Sequence, residues 1–533
     1  MPDTASESAI DTGPDIDLSR AFWYILAGVI VLYALGLNDH WRFQRDGPYF
    51  FGLARSMLED GSYEFNYRPH TKYSPGFPAM LAGIGYFYGL PDTVADSFLP
   101  FNLLVSLFGI GSICLFYLIL RELRSPPWLA FWALLFFAAA RALYYYSAHI
   151  LTDVPFTFFA LAALLAMLKM RHAGGRVASW AWCVVTGLLA AVASIIRPVG
   201  PLLVVAVAAG LWALRDALRH WLQRAGQTLL ITIFVAAPIV WWSRVTRRMA
   251  TEGKHYFRNK VGSSAVYNVL ASPFTRFIEH TEGLSEALCG TKTGTIAGTL
   301  ILIAMLTGLF IWMYRGEREL STFTVLCFGA VVGGGWTLDD RYLLPGLAVV
   351  FYWTVLGTVA IGRYLGAKTD FWTKRRLRIG GYVLCAMLLT INFIRIGKIV
   401  YKNRHPDFYE VVDHGRVAAY RPVLRWLRQN AERDDVIIGY EFSTLHYFTR
   451  LHGAPLPRYA RNVESGWLRR QVIETDADYL VRDAILGSTL PIIDEFRSRH
   501  PEALDKIMAS GQVTLFRINR DRLRAGSGSD GEV

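Results

Sequence analysis

Two aspartates, Asp46 and Asp153, stand just outside long apolar runs, in Arg45-Asp46-Gly47-Pro48-Tyr49-Phe50 and Leu151-Thr152-Asp153-Val154-Pro155. A carboxylate partly desolvated at a lipid–water boundary is biased towards its protonated form, which suits general-base work. A second carboxylate on the same face can orient or tune the first. Each aspartate also has a plainer use. Asp46 can cap a helix over 48–59, and Thr152 or Asp153 can cap an apolar helix with Pro155 in its first turn. Both readings stay open from sequence.

Cations gather around the same stretches. Lys72 lies in Thr71-Lys72-Tyr73-Ser74-Pro75-Gly76-Phe77-Pro78, and Arg197 interrupts two apolar runs. Arg197 cannot face lipid without a partner. Arg244, Arg247, Arg248, Lys254, Arg258 and Lys260 form a basic stretch, and Arg341 follows Asp339-Asp340. Fixed cations of this kind stabilise a phosphate leaving group as its charge develops. The alternatives are attraction to anionic headgroups for the basic stretch and a local pair with Asp339 or Asp340 for Arg341. Tyr49, Tyr73 and Tyr342 adjoin these charges and are candidate substrate contacts. His149, His255, His280 and His446 show no metal-ligand spacing and read as ordinary surface or interface histidines. No metal is required, although an acidic pair could recruit a divalent ion.

The elements that must carry these residues are membrane helices. The chain of 533 residues is 53% hydrophobic and 14% aromatic, with a formal charge of +12. A spanning helix needs roughly 17–25 mostly apolar residues. Eleven stretches qualify or nearly do: 21–37, 97–120, 128–146, 154–168, 179–196, 198–214, 226–243, 294–313, 320–337, 342–362 and 379–397. The apolar stretch 77–90 is too short and is expected to lie in the interface. The short loops at 121–127, 169–178, 215–225, 314–319 and 363–378 hold 16 Lys and Arg in 50 residues; the opposite connections hold 15 in 121. The denser set faces the cytoplasm. Asp46, Lys72, Asp153, Arg197, the 244–293 loop, Arg341 and the tail then share the outer side.

The expected fold class is a polytopic α-helical membrane protein of about 11 spans with a small extracytoplasmic α/β domain. Residues 1–19 read as a disordered cytoplasmic tail and 20–398 as the membrane domain, with outer loops 38–96 and 244–293. In 399–524, helical stretches at 419–432 and 490–499 alternate with strands at 435–440, 478–481 and 512–516. Residues 525–533 form a second disordered tail. The basic charge does not indicate nucleic acid, because no recognition module accompanies it. No glycine-rich loop indicates a soluble nucleotide donor. The five cysteines form no CxxC or Cys/His cluster, so neither zinc nor a disulfide framework is expected.

Taken in order, Asp46, the stretch Phe50-Phe51-Gly52-Leu53-Ala54-Arg55, Lys72-Tyr73-Ser74-Pro75-Gly76-Phe77-Pro78, Leu151-Thr152-Asp153-Val154-Pro155, Arg341-Tyr342-Leu343-Leu344-Pro345 and Tyr479-Leu480-Val481 resemble the C-type membrane glycosyltransferases. The resemblance is to family 39, with the protein O-mannosyltransferases and the lipid A aminoarabinose transferase. It implies a polyprenyl-phosphate-linked sugar donor held between helices among membrane lipids, and an acceptor of unspecified kind. It implies Asp46 as the carboxylate that takes the acceptor's proton, Asp153 as the second carboxylate, and Lys72 on the donor phosphate. It also implies Arg258 and Arg341 as phosphate partners; Arg197, from its place between two apolar runs, is a further candidate for that role. Many relatives carry Asp-Glu in the first loop, whereas Asp46 is followed by Gly47. The rival class is a lipid flippase or transporter, whose charges typically lie near the bilayer midplane.

Overall fold

The fold is described from a computed structural model. It describes residues 16–42, 46–212, 220–249, 277–289, 295–314, 318–333, 340–367, 371–411, 415–456, 466–484 and 490–525. In chain order the part before the tail contains α1 (Leu18–Gly36), α2 (Gly47–Glu59), α3 (Gly76–Tyr88), α4 (Leu99–Glu122), α5 (Pro127–Ala138) and α6 (Arg141–Ser147). Then come α7 (Asp153–His172), α8 (Arg176–Ile196), α9 (Leu202–Trp212), α10 (Trp221–Met249), α11 (Phe277–Cys289) and α12 (Thr295–Tyr314). It ends with α13 (Arg318–Gly333), α14 (Asp340–Leu343), a 3-10 turn at Leu344–Gly346, α15 (Leu347–Ala367) and α16 (Phe371–Arg404). A small hairpin, β1 (Glu64–Phe65) and β2 (Arg68–Pro69), lies between α2 and α3.

Each of the eleven expected spans overlaps helix among the described residues, because lipid offers no partner to an unpaired backbone amide. Seven helices among the described residues are long and apolar enough to cross a membrane, eight if α5 and α6 count as one bent span. Three shorter apolar helices, Leu202–Trp212, Gly298–Met313 and Leu320–Ala330, make up the remainder. The expected count of eleven is therefore not reached by length. The three short helices run towards residues outside the described set. One expectation is corrected: the run 128–146 is not a single helix but two, bent by 44° around Ala139 and Ala140. The break precedes Arg141, a charge the apolar count had absorbed. At 13 residues, α3 is about 20 Å long, short for a hydrocarbon core.

The described chain divides into two compact units. The first gathers residues from 1–37, 71–77 and 102–401. Helix α7 is at its centre, with 78% of its apolar window buried, against 11% for α10 and 12% for the apolar part of α16. Helices α12 and α15 cross at glycines. A Cβ at Gly308 would stand 1.9 Å from the Trp353 carbonyl oxygen, and one at Gly357 would stand 1.8 Å from that of Ala304. Small residues let two membrane helices approach to backbone contact.

The second unit gathers residues from 38–70, 78–101 and 402–533, so the first outer loop, apart from 71–77, packs with the tail. The tail adds α17 (Phe408–Val411), α18 (Arg416–Asn430), α19 (Phe442–Thr449), α20 (Trp467–Thr475), α21 (Leu490–Arg499) and α22 (Arg520–Ala525). Its strands are β3 (Val436–Gly439), β4 (His452–Pro455), β5 (Tyr479–Asp483), β6 (Leu504–Ser510) and β7 (Val513–Ile518), in the order β4-β3-β5-β7-β6. Strand β3 runs parallel to β4 and β5, while β7 is antiparallel to β5 and β6. Ile438, Leu480, Leu468, Val472, Ile493 and Phe516 form its core. Trp41 and Phe51 of the first outer loop and Phe98 just beyond it join Tyr447 and Phe448 of α19 in one aromatic cluster.

Candidate functional site

Asp153 opens α7 with its side chain fully buried, and its two oxygens go to two different arginines. Arg197 donates through Nη1 to Oδ1. Arg341 donates through Nε to Oδ2 at 3.1 Å. Thr152 makes no side-chain cap for the helix, and Asp153 is spent on the arginines. The cap reading of this motif therefore gives way to a buried ion triad.

Local structure fixes each member. Arg197 ends α8, where its own N–H closes on the Ala193 carbonyl and the Gly200 N–H closes on the Arg197 carbonyl at 3.0 Å each. The turn is tight enough that a Cβ at Gly200 would stand 2.4 Å from the Ser194 Cα. Arg341 sits on the short helix α14, ahead of the 3-10 turn 344–346 that packs on α7. Helices α6 and α11 also pack on α14. Arg197 lies 5.9 Å from the Phe156 ring centroid and Arg341 lies 6.0 Å from that of Tyr342.

Lys72 and Tyr73 belong to the same compact unit. The Lys72 ammonium stands 4.6 Å from the Tyr73 ring centroid, a cation–π pair. Gly76 seats this segment against the end of α8: a Cβ there would be 2.7 Å from the Ile195 carbonyl oxygen, two residues before Arg197. Only glycine permits that approach.

The first unit thus brings together Asp153, Arg197, Arg341 and Tyr342, with the Lys72–Tyr73 segment docked beside Arg197's helix end. Arg258 lies outside the described residues, as do His255, Asp339 and much of the basic stretch. A buried carboxylate holding two guanidinium groups leaves a net positive site, suited to binding an anion.

Sequence reasoning passed over one further cluster in this unit. The Arg141 Nη1 meets Glu286 of α11 at 3.3 Å. Its backbone N–H, freed by the helix break, donates to the Asn392 Oδ1 at 3.1 Å. The Asn392 amide in turn donates to the Leu288 carbonyl near the end of α11 at 3.3 Å. One side chain on α16 therefore satisfies a helix start and a helix end together. The available signal was an arginine within an apolar run.

Asp46 and Tyr49 lie in the second unit. Asp46 occupies the N-cap position of α2 but makes no side-chain cap bond. The Tyr49 ring packs on Phe65 at 4.4 Å and near His70 and Phe442. At the other end of α2, Arg55 is buried. It donates to the Tyr447 and Pro91 carbonyls at 2.9 Å each and to the Asp92 Oδ1 at 2.8 Å. Its guanidinium stacks 4.4 Å from the Tyr447 ring centroid.

The hairpin beyond α2 docks on the tail. Asn66 and Tyr67 both have positive φ, 59° and 56°, as a two-residue hairpin turn of the primed type demands. The Asn66 amide exchanges two 2.7 Å hydrogen bonds with Gly453, imitating a paired strand on edge strand β4. The Asn66 backbone N–H donates to the His446 Nε2 at 3.0 Å, so His446 carries its proton on Nδ1, facing the Leu451 carbonyl. Burial pushes the His446 pKa down from 6.5 to about 4. All five cysteines are free thiols, and no metal-ligating group of three exists among the described residues.

The fold recurs in solved structures. Over 94% of its length the chain is similar to ArnT from Cupriavidus metallidurans in the apo state, with a TM-score of 0.59 at 13% identity, covering 98% of that chain. The same protein bound to undecaprenyl phosphate gives 0.58 at 14%, covering 93% of this chain and 97% of that one. The archaeal oligosaccharyltransferase AglB from Archaeoglobus fulgidus, in complex with an inhibitory peptide and a dolichol-phosphate, gives 0.53 at 11%, covering 86% and 69%. This is the fold of the C-type membrane glycosyltransferases, a multi-span membrane protein. Within it, residues 92–250 match the family model of the dolichyl-phosphate-mannose-protein mannosyltransferases, a stretch that contains Asp153 and Arg197. No curated protein sequence matches significantly.

Proposed function

We propose that the protein transfers a sugar from a polyprenyl-phosphate-linked donor to an acceptor hydroxyl at the outer face of the cell's inner (plasma) membrane. The observation that carries this is the buried Asp153 clamp on Arg197 and Arg341, beside the Lys72 segment, in a fold shared with a protein that binds undecaprenyl phosphate. The donor phosphate sits on the Lys72 and arginine cations. The acceptor oxygen attacks the anomeric carbon in line, the carbon–oxygen bond to the phosphate breaks, and the configuration inverts. Asp46 takes the acceptor's proton. As the bond breaks, charge collects on the phosphate, and pre-placed cations stabilise it most at that moment. Asp153, with both oxygens accepting from arginines, acts by positioning them rather than by moving a proton. The 13-residue length of α3 supports the reading of that helix as interfacial rather than spanning.

The test is a transfer assay with full-length protein in nanodiscs and a panel of undecaprenyl-phosphate-linked radiolabelled hexoses and pentoses. Asp46→Asn keeps shape and removes the base, so turnover should fall at least about 100-fold. Transfer by that variant at the wild-type rate refutes the base assignment. Movement of labelled lipid across the bilayer of proteoliposomes, without sugar transfer in either preparation, refutes the enzyme reading.

A further inference from the structure

Helix α2 starts at Asp46's side and ends in a lock built by the tail. Arg55, near its C-terminal end, binds carbonyls from two other segments, Tyr447 on α19 and Pro91 after α3. The Tyr447 hydroxyl donates to that same Pro91 carbonyl, and Arg428 of α18 donates to the carbonyl of Asp92 at 2.7 Å. Arg450 pairs with Glu59, the last residue of α2, through both carboxylate oxygens at 3.1 and 3.2 Å. Gly52 is in contact with Phe65, whose ring lies 2.6 Å from where a Cβ would be. An arginine is a poor choice for stability alone, because desolvating a guanidinium is costly where an apolar side chain would pack. What its planar fork adds is direction.

We propose that the tail domain is a seat for the base: through Arg55, α19 fixes the angle of α2 and so the location of Asp46. Arg55 is a positioning residue. The inference rests on the reading of Asp46 as the base. Nine residues separate Asp46 from Arg55, about 13 Å along a helix. A tilt of roughly 5° about the Arg55 anchor moves the Asp46 end by about 1 Å, and a misplacement of that size costs about 100-fold in rate.

The experiment is a double-mutant cycle on the full-length protein in nanodiscs, with the panel of undecaprenyl-phosphate-linked sugars as donors. Arg55→Met leaves no carboxylate stranded, since Asp92 is half exposed and also pairs with Arg450. Arg55→Met should lower kcat about 100-fold with the donor KM unchanged within threefold. In the Asp46→Asn background it should add less than a threefold loss, because a base that is absent cannot be misplaced. Arg55→Lys, which keeps the charge without the fork, should fall between the two and show the same non-additivity. It carries the test if the methionine variant does not fold. Arg55→Met and Arg55→Lys both at the wild-type rate, or a full multiplicative loss on Asp46→Asn, overturns the seat while leaving the base assignment standing. Asp46→Asn alone at the wild-type rate removes the base assignment, and the seat with it.

Discussion

Replacing Asp153 with Asn removes one charge and turns one acceptor into a donor. The amide oxygen can still take one guanidinium N–H, but its NH2 group then confronts the other arginine donor to donor. The aspartate is fully buried, with Arg197 and Arg341 side chains 17% and 27% exposed. Breaking a buried pair by removing one partner costs about 3–5 kcal/mol, and partial solvent screening of the arginines places this change at the lower end. That cost falls on folding; the rate suffers because a shift of the released arginines by about 1 Å from the phosphate lowers transfer roughly 100-fold. The loss should appear both as a raised donor KM and as a lowered kcat, because the two cations serve the bound phosphate and the departing one. A proton acceptor would lower kcat alone, with a shifted pH profile. The assay is initial-rate transfer over a donor concentration series, at several pH values, for Asp153→Asn. Rates and donor KM within threefold of wild type would show that the arginines hold their places without Asp153, and the clamp would be wrong.

Three further outcomes are expected. Lys72→Met should raise the donor KM about 10-fold and leave folding unchanged, since it removes a charge-assisted contact worth about 1.5–3 kcal/mol from a half-buried site; unchanged undecaprenyl phosphate binding argues against that role. Gly76→Ala forces the Lys72 segment off the Ile195 carbonyl, so it should weaken donor binding and destabilise by about 1–3 kcal/mol; a melt and a donor KM matching wild type would contradict the close approach. His446 has a folded pKa of about 4 against 6.5 unfolded, so its contribution is present above pH 6.5 and is lost as pH falls from 6.5 to 4. The loss amounts to about 3 kcal/mol. Thermal unfolding of the full chain at pH 7.5 and 4.5 should show a drop that His446→Gln reduces; an equal drop in both proteins assigns it elsewhere.

Much of the membrane unit is legible in the chain itself. Apolar runs of spanning length must become helix, and the runs ending at 36, 122, 172 and 196 do so within a few residues of expectation. Strands β3, β5 and β7 show as short β-rich runs between helical stretches, whereas β4 and β6 carry too little pattern to be read. Asp153, Arg197 and Arg341 could each be singled out, because a charge at an apolar boundary needs a reason.

Tertiary structure alone decided their partners. Arg341 is 188 residues from Asp153, and the local alternatives Asp339 and Asp340 are equally plausible on the page of a sequence. The break before Arg141, the Asn392 bridge and the docking of Asn66 on Gly453 are likewise meetings of distant segments. Periodicity and composition act over one or two helical turns, so they set which residues leave the lipid phase and in what local form. Which buried cation answers which buried carboxylate is chosen by packing, where leaving either one unpaired costs more than any local preference can return.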